Sequence, residues 1–287
     1  MNTPEVVLLS PVEVARALET IPSAPLVMSR LSGMLRDGAT SAGEIGRMVR
    51  FEPGLAMQVL RAHHQRSCAE NPRCFTLEDA MNSLGFPYLR ELVGEAARAQ
   101  LFDQPLEVYN LEMDEFWRRS IATALGAELL AEITGEDADL SFTTGLLHNV
   151  GMLAVNAWAK ENMPELVFAH RSWPREYSPA EGAVLGFTHA EVGATLLDIW
   201  QFSSAVSEPI RMQHVPSRSG PHARRSCLLH AAKWLGASVC TDGAVPKLPD
   251  TRYLDALNLA SYELVKLVVD VRIRLGSARN NVEFSAA

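Results

Sequence analysis

Apolar residues recur along this chain at spacings of three and four, while the two-residue alternation of a half-buried strand never lasts more than a few positions. The pattern therefore predicts helices throughout. Ser41 followed by Glu44 makes a capping box ahead of Ile45, Met48 and Val49, so a helix is expected to begin there with that face buried. Pro53 suits the first position of the next helix. Thr76 with Asp79 opens another, which carries Leu77, Ala80, Met81 and Leu84 on one face and has Gly85 as its left-handed stop. Pro87 then starts a helix through Leu89, Leu92, Val93, Ala96 and Leu101.

From Asp103 to Leu111 the periodicity breaks around Pro105, which puts a boundary between two lobes near Tyr109. Residues 1–108 are expected to form an amino-terminal helical lobe, and 109–287 a larger helical lobe with its own carboxy-terminal helix. In the second lobe, Glu112 to Ile133 carries Phe116, Ile121, Leu125 and Leu129 and should end at Gly135. A second long helix is expected from about Asp137 toward Trp158. Ser178, Pro179 and Glu181 read as an N-cap, a first-turn proline and a capping-box partner, with Gly186 closing that short helix. Thr188 with Glu191 repeats the device. Pro216 to Arg225 reads as an exposed polar loop before a helix through Leu228, Leu229, Ala232 and Leu235. A last helix carries Leu264, Leu267, Val268, Val271 and Leu275 and is expected to stop at Gly276. The fold class is all-α, with no fixed-period repeat.

Composition narrows the function. With 47% hydrophobic and 21% charged residues, 287 residues suffice for a sizeable core, and neither disorder nor a fibrous architecture is indicated. The longest mostly apolar stretch, Ser120 to Ile133, contains Glu128 and is too short to cross a bilayer. The opening MNTPEVVLLSPVEV has no basic segment and no small-residue cleavage site, so a cytoplasmic location is expected. Cys68, Cys74, Cys227 and Cys240 form no CxxC pair and no disulfide framework, which fits a reducing compartment. A net charge of −8 repels polyanions, so nucleic acid is not an expected partner.

Several clusters carry chemistry-bearing residues, and for most a structural role is the simpler reading. His63, His64, Cys68 and Cys74 include zinc-ligand types at spacings that match no standard finger or knuckle. Arg218, His222, Arg224 and Arg225 make a local basic loop that reads best as solvated. Cys227 and His230 lie three apart on one helix face, where packing is the usual role. Trp117 and Trp158 read as core, and Trp173, in the polar run HRSWPREYS, as a better candidate for contact with a partner. There is no GxSxG elbow, P-loop or dinucleotide fingerprint.

The order of the segments is more specific than any one of them. IPSAPLVMSRL, SAGEIGRMVRFEPGLAMQVLRAH and FTLEDAMNSLGFPYLRELV fill the first lobe. FWRRSIATALGAELLA, TTGLLHNVGMLAVN, VLGFTHAEVGATLLDIW and a run ending IRMQH follow in the second. In this order they resemble the HDOD family, a non-catalytic relative of the HD metal-dependent phosphohydrolases, over roughly Leu18 to Gly276. The resemblance implies a two-lobed helical architecture with an HD-like carboxy-terminal core. It also implies a bacterial signal-transduction module, of the kind found in two-component and cyclic-dinucleotide pathways, that acts through protein partners. The chain departs from the family near His64 and Gln65, where an asparagine and a serine are expected.

An HD site needs neutral imidazoles and carboxylates from several helices around one divalent cation, whose bound water attacks a phosphate ester. By the resemblance, the His-Asp pair of that site is here His148 and Asn149, the first histidine is Arg119, and the last aspartate is Lys233. His148, His189 and His214 remain as imidazoles. A fixed cation about 6 Å from a divalent metal costs about 5 kcal/mol at an effective dielectric near 20. The site is therefore expected to be degenerate, with no catalytic residue, no metal and no cofactor. His148 is expected to be held by Asn149, Arg119 or a backbone carbonyl, His189 to cap or pack, and His214 to lie protonated against a helix dipole. Arg119 and Lys233 could alternatively bind a nucleotide-like anion, or simply sit in surface salt bridges. A residual phosphohydrolase is the competing reading. The chain has no room for a receiver or cyclase domain beside the two lobes, so signalling partners are expected in trans.

Overall fold

The computed structural model describes residues 10–18, 46, 49–51, 53–67, 76–99, 105–168, 177–216, 220–241 and 246–283. Among these residues the architecture is helical, with a lone antiparallel bridge between Leu106 and Leu111 in place of any sheet. The Ser41 and Glu44 capping box lies outside the described residues, as do Cys68, Cys74, Trp173 and Arg218.

The described part of the amino-terminal lobe is built around α2 (Pro53–Ser67) and α3 (Leu77–Ala99), which pack on each other. Thr76 caps α3 by accepting the Asp79 amide at 3.1 Å. Gly85 adopts φ 74° and ψ 161°, which is not helical, so it ends one helical segment of α3 as expected, and the second segment starts beyond the kink at Pro87. A short amino-terminal helix, α1 (Pro11–Arg16), opens with a Ser10–Glu13 capping box. It lies against α6 and α8 of the second lobe, whose bounds follow.

That lobe comprises α4 (Met113–Thr134), α5 (Ala138–Leu147), α6 (Val150–Asn162), α7 (Ser178–Val184), α8 (His189–Ile199), α9 (Ser204–Arg211), α10 (Ala223–Cys240), α11 (Thr251–Asp255) and α12 (Ser261–Glu283). The central element is α4, which packs on α5, α10 and α12. Its length follows the expected pattern, and Gly135 ends it at φ 73° in the left-handed conformation that glycine tolerates best. Missing side chains bring its neighbours close. A Cβ on Gly145 of α5 would stand 2.8 Å from the Ala124 Cα, and one on Gly236 of α10 would stand 2.5 Å from the Thr123 Oγ1. Both contacts fall on the same turn of α4.

Three expectations are corrected. The long helix from Asp137 toward Trp158 is two helices, broken at His148 and Asn149. The break lets α6 turn and pack on α8, where a Cβ on Gly151 would lie 1.9 Å from the His189 carbonyl oxygen. Arg224 and Arg225 belong to the first turn of α10 rather than to a solvated loop, because Glu136 takes both guanidinium groups, at 2.8 and 3.5 Å. Arg224 also donates to the Thr134 carbonyl at 3.0 Å and so closes the end of α4. Finally, α12 continues through Gly276 to Glu283, since a glycine inside a helix costs only about 1 kcal/mol relative to alanine and does not force an end.

Side chains between Arg50 and His64 fasten that stretch to the helices after residue 112. Arg50 pairs with Glu128 and stacks over Phe142 at 4.0 Å, while Arg61 lies over Trp200 at 4.9 Å. His64 stacks on Phe202 at 4.3 Å, and burial beside His63 pushes its pKa down to about 4, which suits a packed aromatic ring. Trp117 is buried and Trp158 is packed against the core.

The close helix crossing yields a prediction. Gly151→Ala should destabilise the fold by about 3 kcal/mol or more in urea unfolding, because backbone on both sides must move. Gly182→Ala on α7, with nothing within 4 Å of the new Cβ, should be neutral or slightly stabilising.

Candidate functional site

The helix crossings that shape the second lobe also enclose a cavity of about 620 Å³. Arg119, His148, Asn149, His189, His214 and Lys233 all line it, so six residues drawn from five separate stretches of sequence meet at one cavity. Arg119 lies one turn before Thr123 on α4, and Lys233 lies three residues before Gly236 on α10. The close contact between Thr123 and Gly236 therefore brings both cations to the same space. His148 and Asn149 enter at the break between α5 and α6, and His189 at the first turn of α8. All the residues that line the cavity fall between Arg119 and Tyr253.

Each imidazole is held differently. His148 donates from Nδ1 to the Gly145 carbonyl at 2.7 Å, so a backbone carbonyl is its support. Burial, then Lys233, His189 and Arg119, keep its pKa well below the ordinary value despite that hydrogen bond. His189 donates its backbone N–H and its Nδ1–H to the Glu181 carboxylate, at 2.9 and 2.8 Å. Thr188 and Glu191 form the expected capping box at the start of this helix. His214 lies within 2.8 Å of the Ser178 hydroxyl and packs edge-on against His189 at 5.3 Å. Burial and Lys233 hold its pKa well below normal, so it stands neutral and the favourable dipole contact open to its protonated form is not used. With its Nδ1 committed as a donor and its ring held neutral, His148 presents Nε2 as an acceptor.

Glu181 is the residue whose role the sequence concealed. It was expected to complete a capping box with Ser178, but Tyr177 is the N-cap and the carboxylate turns inward, fully buried. It accepts the Tyr109 hydroxyl at 2.7 Å as well as both His189 donors. Burial alone would raise its pKa, but His189 and these hydrogen bonds outweigh that and hold it below the usual carboxylate value. Burial and the neighbouring carboxylate push the Tyr109 phenol well up, so it remains a neutral donor. Tyr177 extends the network by donating to the Tyr109 carbonyl at 2.9 Å. The one sequence signal available was an acidic residue eight positions before a histidine, with nothing to reveal that the loop folds back.

The segment after α10 also lines the cavity. Trp234 donates to the Pro246 carbonyl at 3.1 Å, which holds residues 246–250 along the cavity. Asp250 caps α11 and is held by Arg252, and Lys247 adds another cation to the lining. Arg119 pairs with Glu115 one turn away at 2.7 Å, so the ion-pair reading and the cavity position hold together.

This donor set does not suit a divalent cation. Asn149 is neutral where an anionic oxygen would be needed, and Arg119 and Lys233 line the same cavity. Among the described residues no three histidines, cysteines or carboxylates come near enough to share an ion.

The HDOD domain family matches residues 21–216, more than half of the chain. The chain belongs to the HDOD domain family. The fold of this HDOD chain is similar to that of the MmoQ response regulator from Methylococcus capsulatus str. Bath, at 18% identity over 88% of this chain and 99% of that one, with a TM-score of 0.68. It is also similar to that of a virulence factor from Campylobacter jejuni subsp. jejuni, at 15% identity over 93% and 100% of the two chains, with a TM-score of 0.65. An uncharacterized protein of Treponema pallidum (strain Nichols) is 24% identical over 214 residues, which cover 73% of the HDOD chain but only 40% of that relative. No described helix is long and apolar enough to cross a membrane.

The Glu181 network yields a second prediction. Because its folded pKa is depressed, Glu181 contributes stability that is fully present above the unfolded carboxylate pKa and is lost as pH falls through the folded value. Glu181→Gln should cost about 2–4 kcal/mol at pH 7 and progressively less below about pH 4, measured by urea unfolding across that range. An unchanged gap at low pH would mean that the carboxylate charge is not what matters.

Proposed function

We propose that this chain is a non-catalytic regulatory module that works through protein partners supplied in trans, inside the cell, and that its HD-type cavity no longer supports phosphohydrolase chemistry. The observation that carries this reading is that Arg119 and Lys233 line the same cavity as His148, His189 and His214. Each cation, at about 6 Å from a divalent ion, would oppose it by about 5 kcal/mol at an effective dielectric near 20. His148 and His214 are held neutral, and the buried Glu181 carboxylate is already engaged by His189 and Tyr109. Membership of the HDOD family, and a fold shared with a response regulator, support a regulatory role.

With Mn or Fe supplied, the purified chain should show no phosphodiester hydrolysis above buffer, and His148→Ala should leave that baseline unchanged. Turnover that disappears in His148→Ala would establish the residual phosphohydrolase instead. A pull-down with the tagged chain, read by mass spectrometry, should recover signalling proteins rather than nucleotide-metabolising enzymes.

A second reading is favoured by the shape and charge of the same space. The 620 Å³ cavity presents Arg119, Lys233 and Lys247 against Asp250, whose charge is taken up by Arg252, and adds the acceptor nitrogen of His148. An anionic, hydroxyl-bearing ligand of nucleotide size matches that lining. A nucleotide that binds should raise the melting temperature by about 5 °C at a hundredfold excess over its Kd, and Arg119→Ala should abolish the rise. If no nucleotide shifts the wild type, the sensor reading falls and the partner reading stands alone.

A further inference from the structure

The carboxy-terminal helix α12 is apolar on two opposite faces. Leu264, Leu267 and Val271 are buried against the second lobe, where α12 packs on α4 and α10. On the other side Tyr262, Val265, Val269 and Ile273 are 63, 47, 61 and 62% exposed. Spacings of three and four place these four side chains in one stripe along the helix. A helix with apolar residues on both faces is expected to be covered on both. Four large apolar side chains in line form a contiguous patch rather than scattered exposure.

The charges beside the stripe indicate what covers it. Lys266 and Asp270 are exposed on one flank, and the Lys266 ammonium lies 5.2 Å from the Tyr262 ring, at the edge of the stripe. Arg274, the next charge on that side, is engaged by Glu132 and Glu128 of α4. When two copies of one helix pair antiparallel about a two-fold axis, a flank faces the same flank of its mate with the sequence reversed. With the axis beside Val268, Lys266 of each copy stands opposite Asp270 of the other. In that register Tyr262 meets Ile273, and Val265 fits between Val269 and Ile273 of the other copy, in the manner of knobs into holes. The apolar residues and the charges thus agree on a single self-complementary register.

We propose that the outer face of α12 is a self-association surface, on which a second copy of this chain docks antiparallel through Tyr262, Val265, Val269 and Ile273 with Lys266–Asp270 pairs across the axis. One helix pair lies at the small end of specific interfaces, so the dimer is weak and forms with concentration, in the micromolar range or above. Self-association then raises the local concentration of whatever partner each copy holds.

Sedimentation equilibrium on the full chain, from about 1 to 500 µM, tests this directly. The wild type should pass from monomer to dimer across that range. Val269→Glu should remain monomeric with an unchanged melting temperature, since the side chain points to solvent in the monomer. Lys266→Asp should weaken association about tenfold, by replacing two attractive pairs with two repulsive ones, and Lys266→Asp combined with Asp270→Lys should restore it. A wild type that stays monomeric throughout, a dimer indifferent to Val269→Glu, or a double variant that is not rescued would each overturn the proposal.

Discussion

The arrangement of the second lobe depends on how closely three helix backbones approach at one turn of α4. Gly145 from α5 and Gly236 from α10 meet Thr123 and Ala124 there, with no side chain between them. Interiors are packed to crystal density, so such contacts fix the relative position of the helices to a few tenths of an ångström. A second close crossing, Gly151 of α6 on the backbone of α8, fixes the other half. Everything that lines the cavity hangs from these two crossings. Arg119 sits one turn from the first, Lys233 three residues from it, and His148, Asn149 and His189 surround the second.

Once the geometry is set, burial and charge determine the protonation state of the site. His148 and His214 lose water and face Lys233, and both effects favour the neutral ring. Glu181 sits in the same buried region yet is held as a carboxylate by donors from Tyr109 and His189, because an unpaired buried charge would be far more costly than the ordered network. The result is a cavity with fixed cations, neutral acceptors and a fully engaged anion.

The fold was legible in the sequence to the extent that local rules determine it. Gly135, Thr76 and the Thr188–Glu191 box each end or begin a helix where their chemistry directs. The failures are tertiary. Continuous apolar periodicity gave no hint that the chain breaks at His148, since the break is imposed by the contact of Gly151 with α8. Ser178 and Glu181 have capping-box spacing, but the carboxylate gains more from His189 and Tyr109, 8 and 72 residues away, than from a local amide. Gly276 resembles a helix stop, yet nothing in its surroundings requires a positive φ. The six site residues were identified through resemblance to a known pattern of segments. Their assembly around one cavity is a property of the structure alone, and the exposed stripe of α12 was hidden because two apolar faces on one helix both repeat at three and four, and periodicity does not say which of them is buried.

The central claim is that cations now line the cavity where a divalent ion would need anionic ligands. Titration of the purified chain with Mn²⁺, followed by electron paramagnetic resonance of the free ion, measures this most directly. The account predicts no saturable site at micromolar affinity and no change in the titration when His148 is replaced by alanine. One tightly held Mn²⁺ per chain, released by that same replacement, would contradict it.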